Sequence, residues 1–131
     1  MKGKVEDGQA AGRISINNVD EICIIDTGAA VTVTNINKAE RLKLKDIKIT
    51  KIFLTVGGAI EVRYHVASHA KFGEYEKTNK IIGCYVPTRD YEKEIKRRER
   101  RPIETMVGMD ILREGKLTID KGTTWELTFN P

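Results

Sequence analysis

Turn signals recur every eight to twelve residues along this chain, and the runs between them alternate apolar with polar side chains. Side chains of a strand point alternately to opposite faces, so this pattern describes strands with one face buried. GRISINN, residues 12–18, carries Ile14 and Ile16 on one face, and Asp20 to Asp26 forms a second apolar run that leads into Thr-Gly. AAVTVTN, residues 29–35, is β-branched and alternating. ITKIFLTV and AIEVRYHVA flank Gly57-Gly58 as the two arms of a hairpin. HAKFGEYEKTNKIIGCYVP and ETMVG supply further strands, and LTID and TTWELTF close the chain around Lys121-Gly122. Helix is scarce. NKAERLKL reads as a helical turn capped by Asn37, and MDILREGK begins one short C-terminal helix that Gly115 stops. The chain is therefore predicted to be all-β.

A length of 131 residues fits one domain, and 40% hydrophobic with 32% charged residues is a globular composition. Residues 1–11 read as a flexible N-terminal segment and 12–131 as the single domain. No run of about 18 apolar residues exists to span a membrane. MKGKVEDGQAAGR lacks the apolar core of a signal peptide, so the expected location is cytoplasmic, with no membrane partner. Two cysteines cannot make a disulfide framework, and Cys23 and Cys84 read as free, buried thiols. His65 and His69 are four apart, but VRYHVASHA alternates like a strand, so they read as ordinary side chains. No metal site and no cofactor is expected.

The net charge of +4 is concentrated. Residues 88–101 hold seven Lys/Arg and four Asp/Glu, which is +3 of that total. DYEKEIKRRER places Glu92 four before Lys96 and Glu94 four before Arg98, a spacing that supports a solvated helix. One reading of this insert is a patch for nucleic acid or an acidic partner. The other, which the lack of any aromatic-and-basic surface elsewhere favours, is an exposed loop or short helix joining two strands. Nucleic acid is not expected as a partner.

The chemistry concentrates in IIDTGAA, Ile24 to Ala30. A carboxylate ends an apolar strand, and a hydroxyl and a glycine follow at once. Burying an aspartate there is costly unless it is hydrogen-bonded or used. Gly28 permits a tight turn that brings its N–H toward the Asp26 carboxylate, and Thr27 is free to bond backbone across an interface. Chance alone puts Asp-Thr-Gly in about 3% of chains of this length. The later MVGMDIL, with Met106, Val107 and Gly108 ahead of a helix, is by itself only a strand-to-helix turn.

Together, IIDTGAA, the hairpin VGGAIEVR and MVGMDIL, in this order and at compatible spacing, resemble the retropepsin family, the single-domain aspartic proteases of retroviral type. The resemblance runs from about Gly12 to Phe129. It implies a retropepsin-like acid protease fold with a flap hairpin. It implies that Asp26 is the catalytic aspartate, that Thr27, Gly28 and Ala29 complete the active-site loop, and that Thr27 interlocks with its copy beneath paired loops. Val56, Gly57, Gly58, Ala59 and Ile60 would form the flap over the substrate, and Met106-Val107-Gly108 the turn through which the loop threads. Retroviral members often carry an acid just after the DTGA motif and an arginine just after the later glycine, whereas Ala30 and Met109 stand here. MVGMDIL is closer to cellular and transposon-like members, which commonly have Gly-x-Asp.

Peptide hydrolysis of this kind needs two carboxylates sharing one proton, and the chain carries one Asp-Thr-Gly. A two-fold homodimer supplies the second, because residues on the axis meet their own copies. The expected function is an aspartic endopeptidase acting on an extended peptide or protein, with Val33, Val56 and Ile60 as pocket walls. The alternative is a non-catalytic dimerisation or peptide-binding module of the same fold. The run Trp125 to Phe129 would add a strand to an intersubunit sheet or pair only within its own chain.

Overall fold

In the computed structural model, which describes residues 1–55, 57–98 and 102–129, the alternating runs pair into strands. They are β1 (Lys2–Glu6), β2 (Gln9–Ile16), β3 (Val19–Ile25), β4 (Val33–Asn35), β5 (Lys45–Thr55), β6 (Gly58–Phe72), β7 (Tyr75–Tyr85), β8 (Thr105–Val107), β9 (Gly115–Asp120) and β10 (Thr124–Phe129). β10 shows the pattern plainly, burying Trp125, Leu127 and Phe129 and exposing the residues between. The strand order is β5-β6-β7-β4-β8-β3-β2-β1-β10-β9, and β6 also pairs with β2, which folds the sheet back on itself. The enclosed core includes Ile14, Ile16, Leu42, Phe72, Ile82, Val107, Ile111 and Leu127. Among the described residues no helix is long and apolar enough to cross a membrane.

Most strand pairs are antiparallel. The exceptions are β3 with β8 and β4 with β7, which run parallel. β8 lies between β3 and β4 and is antiparallel to β4. Three short strands of mixed direction thus meet at one place, and the chain leaving β3 must pass the chain leaving β8.

Residues 1–11, predicted as a flexible segment, hold β1 and the start of β2, joined by a turn at Asp7-Gly8. β1 pairs with both β10 and β2. The Met1 ammonium donates to the Leu127 carbonyl at 2.8 Å, and the Leu127 N–H donates back to the Met1 carbonyl. The sequence signal was missed because the anchor is distant in the chain. The Trp125 indole packs where side chains are absent: a Cβ on Gly3 would stand 2.6 Å from its Nε1, and one on Gly12 3.0 Å from its ring. That Nε1 donates to the Ala11 carbonyl at 2.9 Å. β10 therefore has both edges occupied within its own chain, by β1 and β9.

Two α-helices are present among the described residues. α2 (Met109–Leu112) is the expected C-terminal helix. α1 (Arg89–Arg97) lies in the charged insert and joins β7 to β8. Thr88 caps it, Asp90 and Glu92 sit at its start and Lys96 and Arg97 at its end, which suits the helix dipole. Glu94 pairs with Arg98 at 3.5 Å, as the spacing predicts. The insert's last residues, 99–101, lie outside the described residues. The turn in NKAERLKL is a short 3₁₀ helix, Ile36–Lys38. Its cap is Asn35 rather than Asn37: the Asn35 side chain accepts from the Asn37 N–H.

Cys23 and Cys84 are buried free thiols, as expected. Burial pushes each thiol up to about 12. The histidines serve locally: His69 Nε2 lies 2.6 Å from Glu76 Oε1, and His65 Nδ1 2.9 Å from the Arg63 carbonyl.

Candidate active site

β3 runs alongside β8 with Ile24 opposite Met106 and Ile25 opposite Val107. The next residue, Asp26, leaves the strand but keeps the register, its N–H donating to the Val107 carbonyl at 2.9 Å. Its carboxylate is met by the Gly28 N–H, which donates to Oδ1 at 2.9 Å. A Cβ on Gly28 would stand 3.2 Å from that same oxygen, so glycine is what allows the close approach. Ala29 N–H donates back to the Asp26 carbonyl at 3.2 Å and closes the turn.

The loop then passes the end of β8. The N–H groups of Met109 and Asp110 donate to the carbonyls of Ala29 and Ala30, at 2.7 and 3.2 Å. The crossing is tight enough that a Cβ on Gly108 would lie 2.6 Å from the Ala29 oxygen and 2.8 Å from Val31 backbone. Real Cβ atoms do not approach backbone so closely, which explains the glycine. Past the crossing, the Thr32 hydroxyl accepts from the Gly108 N–H at 3.2 Å and donates to Asp110 Oδ1 at 2.8 Å. The other Asp110 oxygen lies 2.7 Å from Lys80 Nζ, in a nearly buried ion pair. Ala30 and Met109 are uncharged, and the ion pair at this crossing is Lys80 with Asp110.

Asp26 faces a cleft of about 260 Å³. Ala29, Ala30 and Val33 border it on the loop side, Phe53, Leu54, Thr55 and Ile60 on the hairpin side, and Val62, Tyr85 and Met106 below. The walls are largely apolar, and among the described residues that line the cleft Asp26 is the one charged group. The hairpin is closed by β5 and β6, whose last pair is Thr55 with Gly58. Thr55 Oγ1 donates to the Gly58 carbonyl at 2.7 Å, and Gly58 has φ of +113°, a conformation that other residues rarely adopt.

The structure thus brings Asp26, Gly28, Ala29, Val33, Ile60 and Met106 to one cleft. Thr27 is exposed on the loop, and Val107 and Gly108 lie buried beneath it. Gly57, Gly58 and Ala59 are exposed at the hairpin tip, while Val56 lies outside the described residues. Sequence reading missed Thr32, Lys80 and Asp110, which lock the loop from below, and Tyr85, which forms part of the cleft wall. Asp110 had a signal in the Gly-x-Asp spacing; Lys80 had none, because its partner is thirty residues away. Among the described residues, no three His, Cys, Asp or Glu side chains gather as metal ligands.

Residues 12–111 match the sequence profile of a family described as aspartyl protease. Solved structures share the fold. A retropepsin-like aspartic protease from Rickettsia conorii superposes with a TM-score of 0.65 at 22% identity, covering 98% of this chain and 92% of that one. The EIAV protease, in complex with the inhibitor HBY-793, superposes with a TM-score of 0.57 at 19% identity, covering 85% of this chain and 93% of that one. No curated protein is significantly similar in sequence. The fold is retropepsin-like.

Proposed function

The chain belongs to the aspartyl protease family, and from that premise we propose that it is an aspartic endopeptidase whose reaction centre is a pair of Asp26 carboxylates, one from each subunit of a homodimer. The observation that carries this reading is the placement of Asp26. Among the described residues it is the one charged side chain lining an apolar cleft, and the Gly28 N–H is aimed at its Oδ1 from 2.9 Å.

One carboxylate alone cannot both activate water and polarise a carbonyl. Two facing copies share a single proton, because like charges at contact cannot both ionise. The ionised member takes a proton from water as the oxygen attacks the peptide carbon. The protonated member gives its proton to the carbonyl oxygen, and a tetrahedral diol forms. Its collapse breaks the C–N bond as the amine nitrogen is protonated, and the shared proton returns to the pair.

The remaining residues have assigned parts. Thr27 braces its partner's loop, Ala29 leaves the carboxylates without a side-chain hydroxyl, and Met106-Val107-Gly108 supports the crossing. The hairpin tip with Gly57, Gly58, Ala59 and Ile60 closes over an extended peptide and pairs with its backbone. The proposed place of action is the cytoplasm.

The test is cleavage of an unfolded protein or apolar-rich peptide by the purified chain. Cleavage blocked by a statine-type inhibitor and abolished in Asp26→Asn, with the dimer intact by sedimentation, supports the proposal. A stable dimer that cleaves nothing between pH 3 and 8 leaves the non-catalytic module instead. A chain that stays monomeric at high concentration and still cleaves overturns the shared centre.

A further inference from the structure

The charged insert does more than join β7 to β8: its base forms one bank of a groove. This groove, of about 390 Å³, runs between the hairpin tip and the insert. Thr55, Ile60, Tyr85 and Met106 border both the groove and the Asp26 cleft, so the two are continuous. On the hairpin bank stand Ala59 and Ile60; on the insert bank stand Tyr91 and Ile103.

Tyr91 holds this bank in place. α1 buries no side chain completely, and the charged residues 92–94 and 96–98 are exposed. Tyr91 instead turns inward, its ring edge-on to that of Tyr85 with centroids 6.2 Å apart and planes at 88°. Its hydroxyl donates to Glu104 Oε2 at 3.3 Å, while Tyr85 donates to the Glu104 carbonyl at 3.0 Å. The buried Glu104 carboxylate also accepts from Asn35 Nδ2. Both phenols therefore spend their hydroxyls on Glu104, leaving aromatic ring surface toward the groove. Among the described residues, no charged side chain borders it.

We propose that this groove is a substrate side-chain site that the insert adds to the cleft, taking an apolar or aromatic side chain that flanks the scissile bond, with Tyr91 as its specificity-determining residue. It rests on the reading of the Asp26 cleft as the peptide cleft. The occupant is the substrate's own chain, because an extended peptide leaving the cleft meets the groove without a break, and its walls match an apolar side chain in chemistry.

The test uses decapeptides with an apolar centre in which each flanking position in turn is Phe or Ser. Binding to Asp26→Asn, read by fluorescence anisotropy, reports the groove without catalysis, and cleavage by the wild-type dimer is measured beside it. At one flanking position, Phe is expected to bind about tenfold more tightly than Ser. Tyr91→Ala collapses that ratio toward one, acting on KM rather than on kcat. Tyr91→Phe keeps the ring and restores the preference. Ile103→Trp, which fills the groove without touching the Tyr91 anchor, abolishes it. If no flanking position shows a preference, or the preference survives both Tyr91→Ala and Ile103→Trp, the proposal falls. Preferential binding without cleavage by the wild type overturns the endopeptidase reading and leaves the groove standing.

Discussion

Asp110 Oδ1 accepts two hydrogen bonds from a single residue, Thr32: one from its backbone N–H at 3.0 Å and one from its hydroxyl at 2.8 Å. Thr32 follows the Asp26 loop and Asp110 follows Gly108, so one carboxylate ties together the two chain segments that cross beneath the cleft. Lys80 neutralises it from the other oxygen, at 2.7 Å. The loop that carries Asp26 is set in position by groups that never reach the cleft.

This clamp should be unforgiving of single changes. Asp110→Ala strands a buried ammonium and the two Thr32 donors, while the Ile111 N–H keeps its bond to the Gly108 carbonyl, and is expected to cost about 3–5 kcal/mol. Lys80→Met strands the carboxylate and should cost a similar amount. Lys80→Met with Asp110→Asn removes both charges and should recover a large part of the loss. Urea unfolding of the four proteins gives the coupling between the two residues; additive single-site costs would show that the pair does not act as a unit.

The glycines are not equivalent. Gly108→Ala drives a Cβ into Ala29 and Val31 backbone, at 2.6 and 2.8 Å, and should cost more than about 2 kcal/mol and displace the Asp26 loop. Gly58→Ala should cost about 1–2 kcal/mol, because the strain of φ +113° is local and no atom lies near. Gly57→Ala should be close to neutral, since its nearest neighbour would be 3.9 Å away. Thermal unfolding ranks the three, and a different order would show that the hairpin tip is held in some other way.

Ala29 borders the cleft beside Asp26. A hydroxyl placed there by Ala29→Ser would bond to the carboxylate pair and favour its ionised form. The acid limb of the pH–rate profile for kcat/KM should therefore move to lower pH. A profile that is unchanged or shifted alkaline would mean that the side chain at 29 does not bond to the pair.

Burial raises both cysteine thiols from 9.0 to about 12. Each stays protonated in the folded chain where the unfolded chain has lost its proton. Their contribution to stability is thus fully present below pH 9 and is lost progressively as pH rises from there toward 12. The native protein should resist alkylation at pH 8 and take up two equivalents of iodoacetamide once unfolded. Rapid labelling of the native state would contradict the burial of Cys23 and Cys84.

Deleting residues 1–6 removes β1, uncovers Trp125 and leaves the inner edge of β10 unpaired. The expected result is a loss of several kcal/mol and greater exposure of the indole, read by fluorescence. A truncated chain as stable as the full one would make the N-terminal strand an ornament to the fold.

The sequence by itself determined the strands, because alternation at period two is local, and each run carries its own buried face whatever it pairs with. It also carried the signature of the Asp26 loop: Gly28, whose N–H meets the Asp26 carboxylate at 2.9 Å, and Gly108, where a Cβ would lie 2.6 Å from the Ala29 oxygen. The tertiary structure decided the rest. It ordered residues 1–11, because the indole that holds them lies more than a hundred residues along the chain. It chose Lys80 as the partner of Asp110 and brought Tyr91 against Tyr85 and Glu104. A lysine or tyrosine in a solvated-looking run shows no sign of its partner until folding removes water from between them. Only then does a carboxylate without a counter-charge become too costly to bury.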